Sequence, residues 1–193
     1  MRDLRLEIRG TTCRMENELD VLVDVAERLE RAGFDYMLTG SLALNYYAQP
    51  RMTRDIDVVL ALVLRDVARL EDVFGAEYYL SPDAAKEAVL HQSSFNAIHQ
   101  RSMIKVDLII RKREEYRLEE FGRRHRVSMA GKELWIVSKE DLILSKLEWA
   151  RESLSQRQLT DVRNLLATDC DLDYLWLWAS RLNLTDILTQ VSP

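Results

Sequence analysis

Two stretches of this sequence place carboxylates where a core would be expected. In "RDIDVVL", Asp55 and Asp57 sit one residue apart at the head of a branched apolar run, and in "IKVDLII" Asp107 interrupts a second such run. On a β-strand, residues two apart project to the same side and lie about 6.5 to 7 Å apart along the backbone. Asp55 and Asp57 therefore share one face, while Ile56 and Val58 take the other. Like charges this close repel, and burying either without a partner is costly. A divalent cation removes both penalties, since Mg²⁺ takes oxygen ligands and is commonly held by one or two carboxylates with substrate phosphates. The plainer alternative is a strand opening at a solvent edge, with Arg51 and Arg54 neutralising the pair. Three features favour the metal-nucleotide reading. Gly40-Ser41 lies between a strand and a helix, where backbone N–H groups can cradle phosphates. Asp107 lies on a strand able to pair beside the first. One short helix and a loop join the turn to the carboxylates.

The elements that must position these residues follow from apolar spacing and from breakers. Residues 15–33 repeat apolar side chains at helical spacing, from Leu19 to Leu29, and Gly33 ends them. "FDYMLT" reads as a buried strand, "SLALNYYA" as a helix, and "QPRMT" as the loop into the strand "RDIDVVLALVL". A helix over 65–74 follows, then one capped by Ser81 with Pro82 at its first position. "SFNAI" and "IKVDLII" are two more strands. A charged helix over 113–124 precedes a hairpin, "RVSMAGKELWIV", turning near Gly131. Ser138 with Asp141, and Ser155 with Gln158, match capping patterns, so helices begin at both serines. One more helix, rich in Leu and Trp, runs from about residue 171. This predicts an α+β domain, a small mixed β-sheet flanked by helices, with a core over 1–137 and a helical part over 138–193 packed on it.

With these elements in place, "GSLALNYYAQPRMTRDIDVVL" followed by "KVDLII" resembles the nucleotidyltransferase superfamily that shares the DNA polymerase beta palm. Its signature is Gly-Ser or Gly-Gly, a helix, Asp-x-Asp or Asp-x-Glu on a strand, and a third carboxylate on a neighbouring strand. The long spacer ending in "RMTRDID" is more similar to the bacterial AbiEii-like and related branch, some of whose members are toxins, than to antitoxin-type enzymes with shorter spacers. The likeness covers roughly residues 35–166. It implies that Gly40 and Ser41 bind a nucleoside triphosphate and that Asp55 and Asp57 hold Mg²⁺, or Mn²⁺ in its place. Asp107 would complete a second metal position and help deprotonate the acceptor hydroxyl. The implied reaction is in-line attack on the alpha phosphorus with pyrophosphate leaving. The acceptor would be an RNA, a protein or a small molecule, with a toxin or antitoxin as cognate partner in some members.

Lys146, on the helix "SKEDLILSKLEWARE", either snorkels from its buried stripe or reaches a phosphate, and the resemblance favours the phosphate. Asp161 in "RQLTDVRNLL" looks like the branch's late helical aspartate; its bland role is an ion pair with Arg157 or with an arginine of the preceding helix. Arg54 either contacts nucleotide phosphate or neutralises the surface. Residues 111–126 hold seven Lys or Arg against four Glu. They form either a strip for a nucleic-acid backbone or, more plainly, a helix face of Glu119–Arg123 and Glu120–Arg124 pairs.

Composition sets the outer limits. The chain has 193 residues, 47% apolar and 31% charged, with a formal net charge of −5. That is a folded composition, and it argues against a uniformly basic nucleic-acid binder. No stretch approaches the roughly 20 apolar residues of a membrane span. "MRDLRLEIRG" offers no secretory signal, so the expected location is the cytoplasm, with no membrane partner and a homodimer allowed. Cys13 and Cys170 are isolated, and His91, His99 and His125 lack metal-ligand spacing. Two other classes compete: an inactive nucleotidyltransferase-like interaction module, and a metal-dependent nuclease, which would leave Gly40-Ser41 without a task.

Overall fold

The structure is a computed structural model that describes residues 17–192. Cys13, the stretch "MRDLRLEIRG" and the expected helix start at residue 15 lie outside the described residues. The first described helix, α1 (Glu18–Arg31), begins at Asn17, whose side chain accepts from the Leu19 and Asp20 amides at 2.9 and 3.0 Å. Asp20 answers by accepting from the Asn17 amide at 3.1 Å, which closes a capping box.

Strand β1 (Tyr36–Thr39) leads directly into α2 (Gly40–Tyr47), and β2 (Asp55–Leu60) returns antiparallel to β1. After α3 (Val67–Phe74) come β3 (Tyr78–Leu80), α4 (Pro82–His91), β4 (Ser94–His99) and β5 (Lys105–Ile110). Then α5 (Glu115–Gly122) leads to the hairpin of β6 (His125–Met129) and β7 (Lys132–Ile136). Four helices close the chain: α6 (Lys139–Ser153), α7 (Gln156–Leu166), α8 (Leu172–Arg181) and α9 (Thr185–Val191). The strands form one mixed sheet in the order β3-β4-β5-β2-β1-β7-β6, with β2–β5 and β1–β7 parallel and the other pairs antiparallel. The expected mixed sheet flanked by helices is therefore present.

Burial explains why the carboxylates tolerate these strands. β2 and β5 alternate: Ile56, Val58, Leu60, Val106, Leu108 and Ile110 are buried, whereas residues 55, 57, 105 and 107 are half-buried or exposed. One face of this part of the sheet packs into the core and the other stays open. In β1, by contrast, Tyr36, Met37 and Leu38 are all buried, so the strand beside β2 is covered on both faces.

Several local expectations need correction. The strand "RDIDVVLALVL" ends at Leu60, after which the chain leaves the sheet and turns through a short 3-10 segment, Leu64–Asp66, into α3. The three-residue β3, an edge strand, is additional. The final Leu- and Trp-rich stretch is two helices, broken around Asn183, which adopts φ +56°. Ser155 stands at the start of α7 but makes no side-chain cap.

The C-terminal helices are held by buried polar contacts as well as apolar packing. Asp141, fully buried, accepts from Ser138 Oγ at 2.5 Å, Tyr174 OH at 2.7 Å and Arg123 Nε at 3.0 Å. Arg123 also lies over the Tyr174 ring at 3.7 Å. Two further arginines of the basic segment are similarly engaged. Arg117 pairs with Glu120 and Glu148, and Arg124 pairs with Asp35 and stacks on Phe121 and Trp135. The expected Glu119–Arg123 and Glu120–Arg124 pairs give way to others: Arg123 pairs with Glu140 and Asp141, Arg124 with Asp35, and Glu120 with Arg117 on its own helix. Among the described residues, no helix is long and apolar enough to cross a membrane.

Candidate active site

The site begins where β1 becomes α2. Thr39 stands opposite Asp57 in the antiparallel β1–β2 register, so the next residue, Gly40, must turn directly over that carboxylate. Gly40 has φ +66°, and a Cβ built on it would run into the Asp57 side chain, Oδ2 first. Glycine is required here twice over, by conformation and by space. The nearby Ser41 backbone amide favours the ionised form of Asp57. The Thr39 side chain makes no cap, and the Asp57 carboxylate stands against the start of α2.

The parallel β2–β5 register then sets Asp57 opposite Asp107 and Asp55 opposite Lys105. Burial pushes the Asp57 carboxyl up from the usual aspartate range, and the neighbouring Asp107 and Asp55 charges push it further. The Ser41 amide and Lys146 work in the opposite direction. Asp55 is more open, with a side chain 61% exposed, against 22% for Asp107. Lys105 reaches across the same face, with Nζ 2.8 Å from Asp107 Oδ2 and 3.8 Å from Asp55 Oδ1. Its contact with Asp107, set against some loss of solvent, raises the ammonium above the ordinary lysine value.

Behind the turn lies a second group that joins α2, the loop after it, α6 and α7. Arg51 Nη2 donates to Ser41 Oγ at 2.7 Å, and the same guanidinium grips Asp161 through Nε to Oδ1 at 2.9 Å and Nη2 to Oδ2 at 2.8 Å. Lys146 Nζ donates to Asp161 Oδ2 at 2.8 Å and to Gln158 Oε1 at 3.0 Å. Burial pushes the Asp161 carboxyl up, but the hydrogen bonds from Arg51 and Lys146 outweigh it and leave the group below the usual aspartate range. Burial lowers the Lys146 ammonium despite this pairing. Asn45 fixes the base of the loop, accepting from the Arg51 amide and donating to the Arg51 carbonyl, both at 2.9 Å. Arg51 Nη1 is buried without a hydrogen-bond partner among the described residues.

Gly40, Ser41, Asp55, Asp57 and Asp107 are thus brought to one region of the sheet, and Lys146 with Asp161 is tied to it through Arg51. Arg54 is not: it is exposed and makes no hydrogen bond or ion pair among the described residues. The arginine expected to neutralise the aspartate pair, Arg51, serves Asp161 instead, and Asp161 does not pair with Arg157. Lys105 and Arg51 are the site's unforeseen members. Lys105 carried a readable signal, since it precedes Asp107 by two residues on a strand. Arg51 carried none, because its partner is 110 residues away.

The donors present suit a hard cation. All are carboxylate oxygens, and the mutual repulsion of Asp57, Asp107 and Asp55 is what a cation would relieve. Among the described residues, no three His, Cys, Asp or Glu side chains converge as they would around a closed metal cage. Mg²⁺ needs no such cage, because it is usually held by one or two carboxylates with water and phosphate completing the shell.

No protein-family model matches the chain, and no curated protein sequence matches it. Solved structures do. The chain is similar to the antibiotic-resistance factor ANT(2'')-Ia at 11% identity and a TM-score of 0.59, over 89% of this chain and 94% of that one. A putative nucleotidyltransferase from Thermotoga maritima matches at 19% identity and a TM-score of 0.50, over 73% and 91%. The lincosamide antibiotic adenylyltransferase LnuA, with lincomycin bound, matches at 14% identity and a TM-score of 0.50, over 75% and 93%. The chain has the nucleotidyltransferase fold. The likeness speaks for the fold these proteins share rather than for any one branch of them.

Proposed function

We propose that the protein is a Mg²⁺-dependent nucleotidyltransferase that moves a nucleoside monophosphate from an NTP to a hydroxyl acceptor and releases pyrophosphate. The observation that carries this reading is the meeting of Gly40 with Asp57. A glycine at φ +66° lets the start of a helix close over a carboxylate that stands in register with a second one, Asp107.

On this reading Gly40 and Ser41 receive the triphosphate, with backbone N–H groups at the start of α2 as donors. Asp55 and Asp57 would hold Mg²⁺, or Mn²⁺ in its place. Bound there, the ion supplies neutralisation of phosphate charge and favours the deprotonated acceptor hydroxyl. Asp107 lies beside them as the group toward which that proton leaves. The acceptor oxygen forms a bond to the alpha phosphorus as the bond to pyrophosphate breaks. Arg51 holds the Ser41 hydroxyl oxygen, so the hydroxyl hydrogen is left to donate to phosphate. Lys146 and Asp161 act behind the phosphate turn by fixing Arg51, and Lys146 adds positive charge near Asp57. Arg54, exposed at the head of β2, is available to phosphate oxygens. Catalysis built from positioning and charge in this way depends steeply on each carboxylate.

The acceptor is a small molecule, a protein or an RNA. Antibiotics are the first small molecules to try, because two of the structural neighbours are antibiotic-directed by name. A place in a toxin–antitoxin or phage-defence pair rests on the sequence resemblance and makes tRNA the second arm. The test incubates the protein with Mg²⁺ and each α-labelled NTP, offering aminoglycosides and lincosamides, total tRNA, or cell lysate. Asp57→Asn runs in parallel. Label transfer by the wild type that the substitution abolishes supports the reading. Equal, negligible transfer by both chains, with a partner protein co-purifying, would favour the interaction module.

A further inference from the structure

We propose that Lys105 is the built-in second cation of this site, its ammonium standing between Asp55 and Asp107 so that the acidic face takes one divalent ion rather than two. The inference rests on the nucleotidyltransferase reading above and sharpens it.

The placement follows from the strands. Lys105 precedes Asp107 by two residues on β5 and stands opposite Asp55 in the parallel β2–β5 register, while Asp57 stands opposite Asp107. All four side chains therefore emerge on the open face of the sheet, at the corners of one small patch. The ammonium is 2.8 Å from Asp107 Oδ2 and 3.8 Å from Asp55 Oδ1. A second divalent ion would need these same oxygens, since two-ion sites hold their ions only about 3.5–4 Å apart.

Charge points the same way. Three carboxylates carry three negative charges and Lys105 returns one, leaving two, which a single divalent ion balances. Without nucleotide, a second such ion would leave these four side chains with a positive balance and would lie against an ammonium anchored on the same strand as Asp107. Asp107, with Oδ2 held by Lys105, keeps Oδ1 for the acceptor hydroxyl. Lys105 is 42% exposed at its side chain, so it can be changed without opening the core.

The test titrates the full chain with Mn²⁺ alone and follows the free ion by electron paramagnetic resonance, with thermal melts by circular dichroism to confirm folding. The wild type should bind one Mn²⁺, lost in Asp57→Asn. Lys105→Met should bind two, its second ion at least about tenfold tighter than any second ion in the wild type, because a unit charge a few ångströms away has gone. Lys105→Arg, which keeps the charge, should remain at one. Two ions of similar affinity in the wild type, or a folded Lys105→Met still at one, would overturn the inference and leave the nucleotidyltransferase reading standing. No Mn²⁺ on any of the chains would overturn both.

Discussion

Arg51 and Asp161, 110 residues apart in the chain, meet in a two-pronged ion pair of 2.9 and 2.8 Å, and the same guanidinium holds the Ser41 hydroxyl. Asp161 is the shared anion of two cations, since Lys146 reaches it at 2.8 Å. The Asp161 and Lys146 side chains are only 2% and 5% exposed. Removing one member of a buried pair leaves the others uncompensated, which typically costs about 3–5 kcal/mol. Asp161→Ala should therefore lower the unfolding free energy by about 3 kcal/mol or more, read by urea denaturation. Arg51→Lys should recover the charge but not the fork, and should fall between wild type and Asp161→Ala.

The same pair predicts a response to acid. Arg51 and Lys146 outweigh burial, so Asp161 binds its proton less readily in the folded chain than in the unfolded one. Its contribution is then fully present above the ordinary aspartate value of about 3.9 and is lost as pH falls through the lower folded value. Thermal melts from about pH 5 down to about pH 3 should show wild type losing stability more steeply than Asp161→Asn. Parallel curves would sink this assignment.

Asp57 should behave in the opposite sense. Burial and the charges of Asp107 and Asp55 disfavour its ionised form, and an asparagine keeps the shape while removing the charge. Asp57→Asn should melt no lower than wild type in calorimetry while losing about a hundredfold or more in transfer rate. A site that strains its own fold for chemistry trades stability for activity in this way.

Gly40→Ala tests the close approach itself. A non-glycine residue in left-handed backbone costs roughly 1–2 kcal/mol, and the added methyl would have to displace the Asp57 carboxylate. The substitution should destabilise the chain by at least about that amount. In a double-mutant cycle with Asp57→Ala, the double variant should lose less than the sum of the two single losses, because the second change removes Oδ2 and Cγ, the two nearest atoms that the first one strikes, and leaves only the Asp57 Cβ in its way.

How far the sequence discloses this molecule depends on the range over which each feature is decided. The acidic face is legible because strand alternation is local: Asp55 with Asp57, and Lys105 with Asp107, share a side by spacing alone. The register that sets Asp57 opposite Asp107 depends on which strands pair, and no single run of residues encodes it. Gln158 fits a capping pattern with Ser155, yet its side chain accepts from Lys146, because a buried ammonium has a stronger claim on an amide oxygen than an exposed helix end does. The three residues of β3 are too few to show a period, and the Leu-rich run across Asn183 hides the break between α8 and α9.

Asn45 clasps Arg51 through two hydrogen bonds, one to its amide and one to its carbonyl, so residues 45–51 behave as a small ring rather than an open loop. The entropy of closing that ring is settled when the chain folds. On the proposed reading, a triphosphate arriving at Ser41 would meet a guanidinium whose backbone is already tethered at both ends, and its binding energy would not be diverted into ordering the loop.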